Sequence, residues 1–272
     1  MARNGAMFQN RRTANRGTRR LKNTLVIQSH RMPLPAPWMQ RCLDSVRAWA
    51  EARGFDYRFL DDELFDLAPD WLREKTSERC MVTADFARLI AIRRALAEGY
   101  ESAVWCDADF LIFAPERLDL PADSYAFGRE VWIELDAKGT PRANVKIHNA
   151  FMLFRVGNPF LDFYIHAAQR LLRAHVGPVV PQFIGPKFLT SIHNMLQFPV
   201  VESAGMLSPP VERDLLGGGG RSLELLRRRS PVCLAGVNLC ASLATSEGMT
   251  DDDFVAVIDL LSAQPEMLGD LV

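Results

Sequence analysis

Short apolar runs alternate along the chain with longer stretches in which hydrophobic residues recur every three or four positions. Residues 24–29 (TLVIQS) form one such run and predict a short, buried strand. After a loop with Pro33, Pro35 and Pro37, the apolar positions fall at Trp38, Met39, Cys42, Leu43, Val46, Trp49 and Ala50. That spacing describes one face of a helix, and Gly54 stands where a left-handed residue would end it. Residues 55–60 (FDYRFL) then alternate as a strand does. Strand, helix and strand in one short stretch make a βαβ unit, so the fold is expected to be α/β with a mostly parallel sheet.

The pattern continues in the same sense. Phe86, Leu89, Ile92 and Leu96 mark a helix over 83–98, followed by Gly99. Residues 102–106 (SAVWC) are a compact apolar strand, and 110–113 (FLIF) resume the run after Asp107-Ala108-Asp109. Two further strands are expected at 125–133 and 145–154, with a turn over 136–142. Helices are expected over 160–175, from Gly185-Pro186 to about residue 197, and after Thr250, whose hydroxyl is placed to cap a helix opening with three aspartates. The four consecutive glycines at 217–220 suggest a flexible loop, either a lid or an insertion, beside the basic cluster at 227–229.

Composition narrows the function classes. A chain of 272 residues with 48% hydrophobic content suits one globular domain, and a net charge of −1 gives no reason to expect nucleic acid as a partner. The charge is unevenly placed, however. Residues 1–23 carry Arg3, Arg11, Arg12, Arg16, Arg19, Arg20 and Lys22 with no acid. We read them as a disordered, solvated arm ahead of a single domain over 24–272, with peripheral contact to an anionic membrane as the alternative. The arm has no apolar core of the kind a secretory signal needs, and no stretch approaches the roughly 18 apolar residues of a spanning helix. The five cysteines are irregularly spaced without a Cys-x-x-Cys pair, which argues against zinc and against a disulfide framework. A cytoplasmic protein with reduced thiols is the expectation.

Asp107 and Asp109 are the leading candidates for chemistry. They follow an apolar strand, and in open α/β sheets ligands bind outside the carboxyl ends of strands. Two carboxylates there repel each other and resist burial unless a cation compensates. Mg²⁺ or Mn²⁺ suits such a pair, because hard cations take oxygen ligands and fill their remaining positions with phosphate and water. By contrast Asp61-Asp62, beside Glu63, reads as a solvated loop.

The surrounding residues add a family resemblance. Thr83-Ala84-Asp85-Phe86-Ala87-Arg88-Leu89, Gly99-Tyr100 and Val104-Trp105-Cys106-Asp107-Ala108-Asp109 resemble, in order and spacing, the DXD sugar-binding region of family 32 glycosyltransferases. Fungal α-1,6-mannosyltransferases and clostridial glucosylating toxins are similar there. The likeness continues through His148-Asn149-Ala150, Gly157-Asn158-Pro159 and Gly185-Pro186-Lys187-Phe188-Leu189-Thr190, and spans roughly residues 24–243. Where the family pattern has Ser, Tyr and a Gly-Gly-Ile-Tyr turn, this chain has Ala84, Leu89 and Gly99-Tyr100-Glu101. Where the family commonly has His-x-x-x-Ser-Trp, the chain has Asn238, Ser242 and Leu243.

The resemblance implies a GT-A-like (Rossmann-like) fold and a metal-dependent transfer of a hexose from a UDP- or GDP-linked sugar to a hydroxyl acceptor, with retention of configuration. It implies Asp109, Asn238 and Ser242 as metal ligands. Asp107, Asp109 and Arg88 would be the catalytic residues, and Gln28, Asp85, Arg88, Asp107, Asn149, Gly185 and Pro186 the substrate contacts. The Asn238 and Leu243 departures also admit a non-catalytic nucleotide-sugar binder. A scaffold working through the basic arm is a third reading.

Overall fold

A computed structural model describes residues 22–77 and 80–269. The basic arm therefore lies, up to residue 21, outside the described residues. Its last two positions do not belong to an arm, because Lys22 and Asn23 open the first strand, β1 (Lys22–Ser29). The chain continues through α1 (Trp38–Ala52), β2 (Asp56–Leu60), α2 (Asp70–Lys75), α3 (Cys80–Ala97), β3 (Tyr100–Cys106) and β4 (Phe110–Ile112). The long strands β5 (Tyr125–Leu135) and β6 (Pro141–Arg155) follow, then α4 (Leu161–Ala174), α5 (Pro186–Leu196), β7 (Val200–Val201) and β8 (Ala204–Met206). The last elements are α6 (Pro209–Leu216), α7 (Arg221–Arg229), β9 (Gly236–Asn238), α8 (Ala241–Ser246) and α9 (Asp251–Ala263).

The central sheet has six strands in the order β2-β1-β3-β6-β5-β7. β1 lies parallel to β2 and β3, β6 runs antiparallel to β3 and β5, and β7 is parallel to β5. Only β6 opposes the rest, so the α/β expectation with a mostly parallel sheet holds. Alternation along the strands divides the core into two layers. Val26, Val104, Cys106, Phe151 and Leu153 face α1, α6, α7 and α9. Leu25, Ile27, Ala103, Trp105, Met152 and Phe154 face α3, α4 and α5. Strands buried on both faces read as continuous apolar runs, which is why 102–106 stood out.

Several boundaries differ from the expectation. α3 begins at Cys80 rather than Thr83, because Val82 and Thr83 are already buried and the Thr83 hydroxyl meets that of Thr76. The β5–β6 hairpin is longer than expected, with Glu134 opposite Arg142 and Leu135 opposite Pro141. Its turn is closed by Asp136, whose carboxylate accepts from the Lys138 and Thr140 amides. Asp62–Leu67 forms a short 3-10 helix, and only Leu64 in it is buried. Residues 217–220 are no insertion. They are the turn between α6 and α7, and the Asp214 carboxylate holds it by accepting from the Ser222 and Leu223 amides. Arg227, from the basic cluster, donates to the Met267 carbonyl.

One irregularity positions the site. Phe127 pairs with Met152, but the next residue, Gly128, pairs with His148. Residues 149–151 of β6 therefore have no partner on β5 and bow away from it. The bulge lies at the carboxyl end of β3, where the Asp107 amide donates to the Ala150 carbonyl at 2.9 Å. A second, three-stranded sheet, β4-β9-β8, carries the chain after Asp109 alongside Asn238.

Candidate active site

The bulge brings β3, β6 and α3 together around one cation. α3 is buried on nearly every side, and Asp85 and Arg88 lie in its interior at 8% exposure each. The Arg88 guanidinium reaches Asp107 at 2.9 Å and Asp85 at 3.3 Å, and donates to the Asn149 carbonyl at 3.0 Å. It also lies over the Trp105 ring, 5.2 Å from its centroid, so its flat face is covered as well. The Asn149 amide donates to Asp85 at 2.8 Å, and the Trp105 indole donates to Asp107 at 2.7 Å. Burial opposes the charged guanidinium, but Asp107 and Asp85 outweigh it and hold the Arg88 pKa above its ordinary value. Burial also lifts the Asp85 pKa, against the pull of Arg88 and Asn149.

Three other expected contacts border this network. Gly185 caps α5, and a Cβ there would lie 3.0 Å from the Asn149 amide nitrogen and 3.2 Å from Asp85. Pro186 is buried behind it at the first helical position. Gln28, at the end of β1, is fully buried, donates to the Asp107 carbonyl at 3.0 Å and accepts from the Tyr57 hydroxyl at 3.0 Å. Its amide thus ties the end of β3 to β2 across β1.

Asp109 has different surroundings. Its carboxylate accepts from the Asn238 amide at 2.7 Å and from the Ala241 N–H at 3.0 Å, while the Leu239 amide donates to its carbonyl. Asn238 turns its own oxygen onto the Cys240 amide at 2.8 Å. Cys240 adopts a left-handed conformation, φ 47° and ψ 42°, which is uncommon for a side chain of this kind. That turn aims the Ala241 N–H back at Asp109. Ser242 is exposed, and it is the Ala241 amide of α8 that touches Asp109. Burial and the Asp107 charge raise the Asp109 pKa against these hydrogen bonds.

Two roles escaped the sequence. His148 is fully buried; its Nδ1 accepts from the Ala150 amide, so Nε2 carries the proton and donates to the Ala204 carbonyl at 3.1 Å. Burial lowers its pKa to about 4, keeping the ring neutral. A Cβ on Gly128 would meet that ring at 2.2 Å, which is why glycine stands opposite. Glu212 on α6 is also fully buried, and neither of its carboxylate oxygens has a hydrogen-bond partner among the described residues. Nothing in its sequence context distinguishes Glu212 from a solvated helix acid.

Among the described residues, no group of three or more His, Cys, Asp or Glu is arranged as a ready metal cluster. The local donors are Asp107, Asp109 and the Asn238 amide oxygen, an all-oxygen set suited to a hard cation that keeps several ligands from water or phosphate. The orphaned Glu212 carboxylate fits a cation as well, since an acid buried without a donor needs a positive charge or a proton.

No known family profile matches this chain, and no curated protein matches it. Among solved structures, it is similar to a glycosyltransferase involved in glycosylation of the major capsid of PBCV-1, with 9% identity, 87% of this chain and 99% of that one covered, and a TM-score of 0.46. It is also similar to the galactosyltransferase LgtC in complex with donor and acceptor sugar analogs, with 15% identity, 90% and 100% covered, and a TM-score of 0.39. A third is the 4-diphosphocytidyl-2C-methyl-D-erythritol synthase from Anaerococcus prevotii, with 10% identity, 66% and 87% covered, and a TM-score of 0.33. Likenesses at these scores assign no residue and no substrate. No described helix is long and apolar enough to cross a membrane.

Proposed function

We propose that this chain is a GT-A-like glycosyltransferase, which moves a hexose from a nucleotide-diphosphate sugar to a hydroxyl acceptor with retention of configuration. The reading is supported by the convergence of Asp85, Arg88, Asp107 and Asn149, chosen from the resemblance, into one buried network beside Asp109. Asp109 would hold Mn²⁺ or Mg²⁺ with Asn238, Asp107 would hold hydroxyls of the donor, and the cation would supply Lewis-acid stabilisation of the leaving diphosphate.

The protein's own residues do the positioning. Arg88 has its charge spent on Asp85 and Asp107, so it fixes those carboxylates rather than clamping a phosphate. Asp107, one quarter exposed and held by Arg88 and Trp105, presents its carboxylate to donor hydroxyls in one orientation. Asn149 and Gly185 form the wall beside it. We assign no nucleophile. UDP- or GDP-linked donors, a polysaccharide, glycolipid or glycoprotein acceptor, a cytoplasmic location and membrane contact through the basic arm all belong to this proposal.

A second reading is favoured by a specific observation. Asn238 spends its amide on Asp109 and Leu243 is 41% exposed, where the resembling family has a histidine and a tryptophan. A nucleotide-sugar binder without turnover would tolerate both. Incubation with UDP- and GDP-sugars and Mn²⁺, measuring nucleotide release alongside calorimetric binding, separates them. Binding with slow release supports the transferase, binding without release supports the binder, and no binding of any nucleotide sugar sinks both.

A further inference from the structure

The acidic groups around α6 differ in how they are satisfied. Glu247 pairs with Arg213 at 3.4 Å, Asp253 accepts from the Thr250 amide in the cap of α9, and Asp109 accepts from Asn238 and Ala241. Glu212 alone among these four has no donor on either oxygen. Ser208, the cap of the same helix four residues earlier, is 1% exposed, and its hydroxyl is likewise without a partner among the described residues. Two buried, orphaned oxygen groups are costly in a folded protein, because each forfeits its hydration with no hydrogen bond in return.

Their place in the fold ties them to Asp109. β8 lies beside β9 with Met206 opposite Asn238, and the Leu207 amide donates to the Asn238 carbonyl. Ser208 follows at once as the cap of α6, and Glu212 closes the first turn by donating its amide to the Ser208 carbonyl. The residue that grips Asp109 from one side thus anchors the start of α6 from the other. Burial raises the Glu212 pKa to about 8, and Asp109 is the neighbouring charge that contributes most.

We propose that Glu212 is a ligand of the divalent cation held at Asp109, with the Ser208 hydroxyl lining the same pocket. Magnesium or manganese suits this donor set because all its members are oxygens, and two carboxylates are the usual protein share. The inference rests on the metal-dependent reading above and adds to it a residue that no motif supplied.

The test is Mn²⁺ binding to the full-length protein, read by electron paramagnetic resonance of free Mn²⁺, on wild type, Asp109→Asn and Glu212→Gln. We expect one site in wild type and a loss of affinity of about tenfold or more in each variant. Melting in EDTA should leave Glu212→Gln at or above wild type, because the amide cannot ionise and so avoids the cost of a carboxylate buried without a donor. A Glu212→Gln protein that binds Mn²⁺ as wild type does, while Asp109→Asn does not, overturns the role of Glu212 and leaves the transferase reading standing. Wild type that turns over a nucleotide sugar yet binds no Mn²⁺ overturns the metal and Glu212 together, and again spares the transferase. Should Glu212→Gln not fold, Glu212→Asp serves: a shortened carboxylate is expected to weaken Mn²⁺, and unchanged affinity counts against the proposal.

Discussion

Asp107 and Asp109 stand two residues apart and lie in opposite electrostatic settings. Asp107 belongs to a network in which one guanidinium answers two carboxylates, while Trp105 donates to Asp107 and Asn149 to Asp85. Asp109 meets amide donors alone among the described residues. Asp107 shares one cation with Asp85, while no ion pair holds Asp109 among the described residues. The difference teaches how a strand-end carboxylate pair can divide its work: Asp107 is held rigid for orienting a ligand, and Asp109 is left with capacity for a cation.

The largest expected effect breaks the Asp107 half. Arg88→Ala leaves Asp85 and Asp107 without their cation, and removing one partner of a buried pair costs about 3–5 kcal/mol. Urea denaturation checks this directly. A loss below about 1 kcal/mol would mean that solvent already screens the network, as at surface pairs.

Acid should weaken the same half by another route. His148 anchors the bulge that carries Asn149, and it folds neutral with a pKa of about 4 against an ordinary 6.5. The unfolded chain takes up a proton below 6.5 and the folded protein does not, so this stability is complete above pH 6.5 and is lost as pH falls toward 4. The shift corresponds to about 3 kcal/mol across that window. Denaturation curves of wild type and His148→Gln should therefore converge as pH falls from 6.5 to 4. Parallel curves would show that His148 is not the group responsible.

The Asp109 half should respond less to losing a neutral partner. Asn238→Ala removes one donor to Asp109 and one acceptor for the Cys240 amide, worth about 1–3 kcal/mol in total. Comparing it with Arg88→Ala measures the asymmetry. If Asn238→Ala proves the more damaging, Asp109 depends on the protein more than its surroundings indicate.

Much of the Asp107 half was legible in the sequence because its parts lie on regular elements. α1 buries the seven residues that its spacing marked, Gly54 has φ +67° just past the helix, and Thr250 makes the expected capping box. Asp85 and Arg88 share a helix face by period alone, and β3 ends at Asp107 because its apolar run ends there. What stayed hidden depends on pairing between distant segments. The β5–β6 register shift leaves no local mark, yet it decides that Asn149 faces Asp85 and that His148 must oppose a glycine. The turn at 217–220 misled because four glycines signal freedom, whereas Asp214 supplies the order from outside them. Glu212 was illegible for the same reason: a glutamate in the first turn of a helix favours the macrodipole wherever it points, and burial is settled by what packs over it.

The smallest effect on stability is the sharpest on the comparison. Gly185→Ala places a methyl 3.0 Å from the Asn149 nitrogen and 3.2 Å from Asp85, so both must shift by a few tenths of an ångström. Both are buried but at their side-chain ends, and the cost to folding should be about 0.5 kcal/mol. The shift acts on the wall of the Asp107 half and on nothing that touches Asp109. Nucleotide-sugar affinity in the variant should therefore fall while Mn²⁺ affinity, measured without nucleotide, stays at the wild-type value. If both fall together, the two halves form one mechanical unit and the division of labour between Asp107 and Asp109 does not hold. If only the sugar affinity falls, the Asp107 half orients the donor independently of the cation, as the separate hydrogen-bond networks of the two aspartates imply.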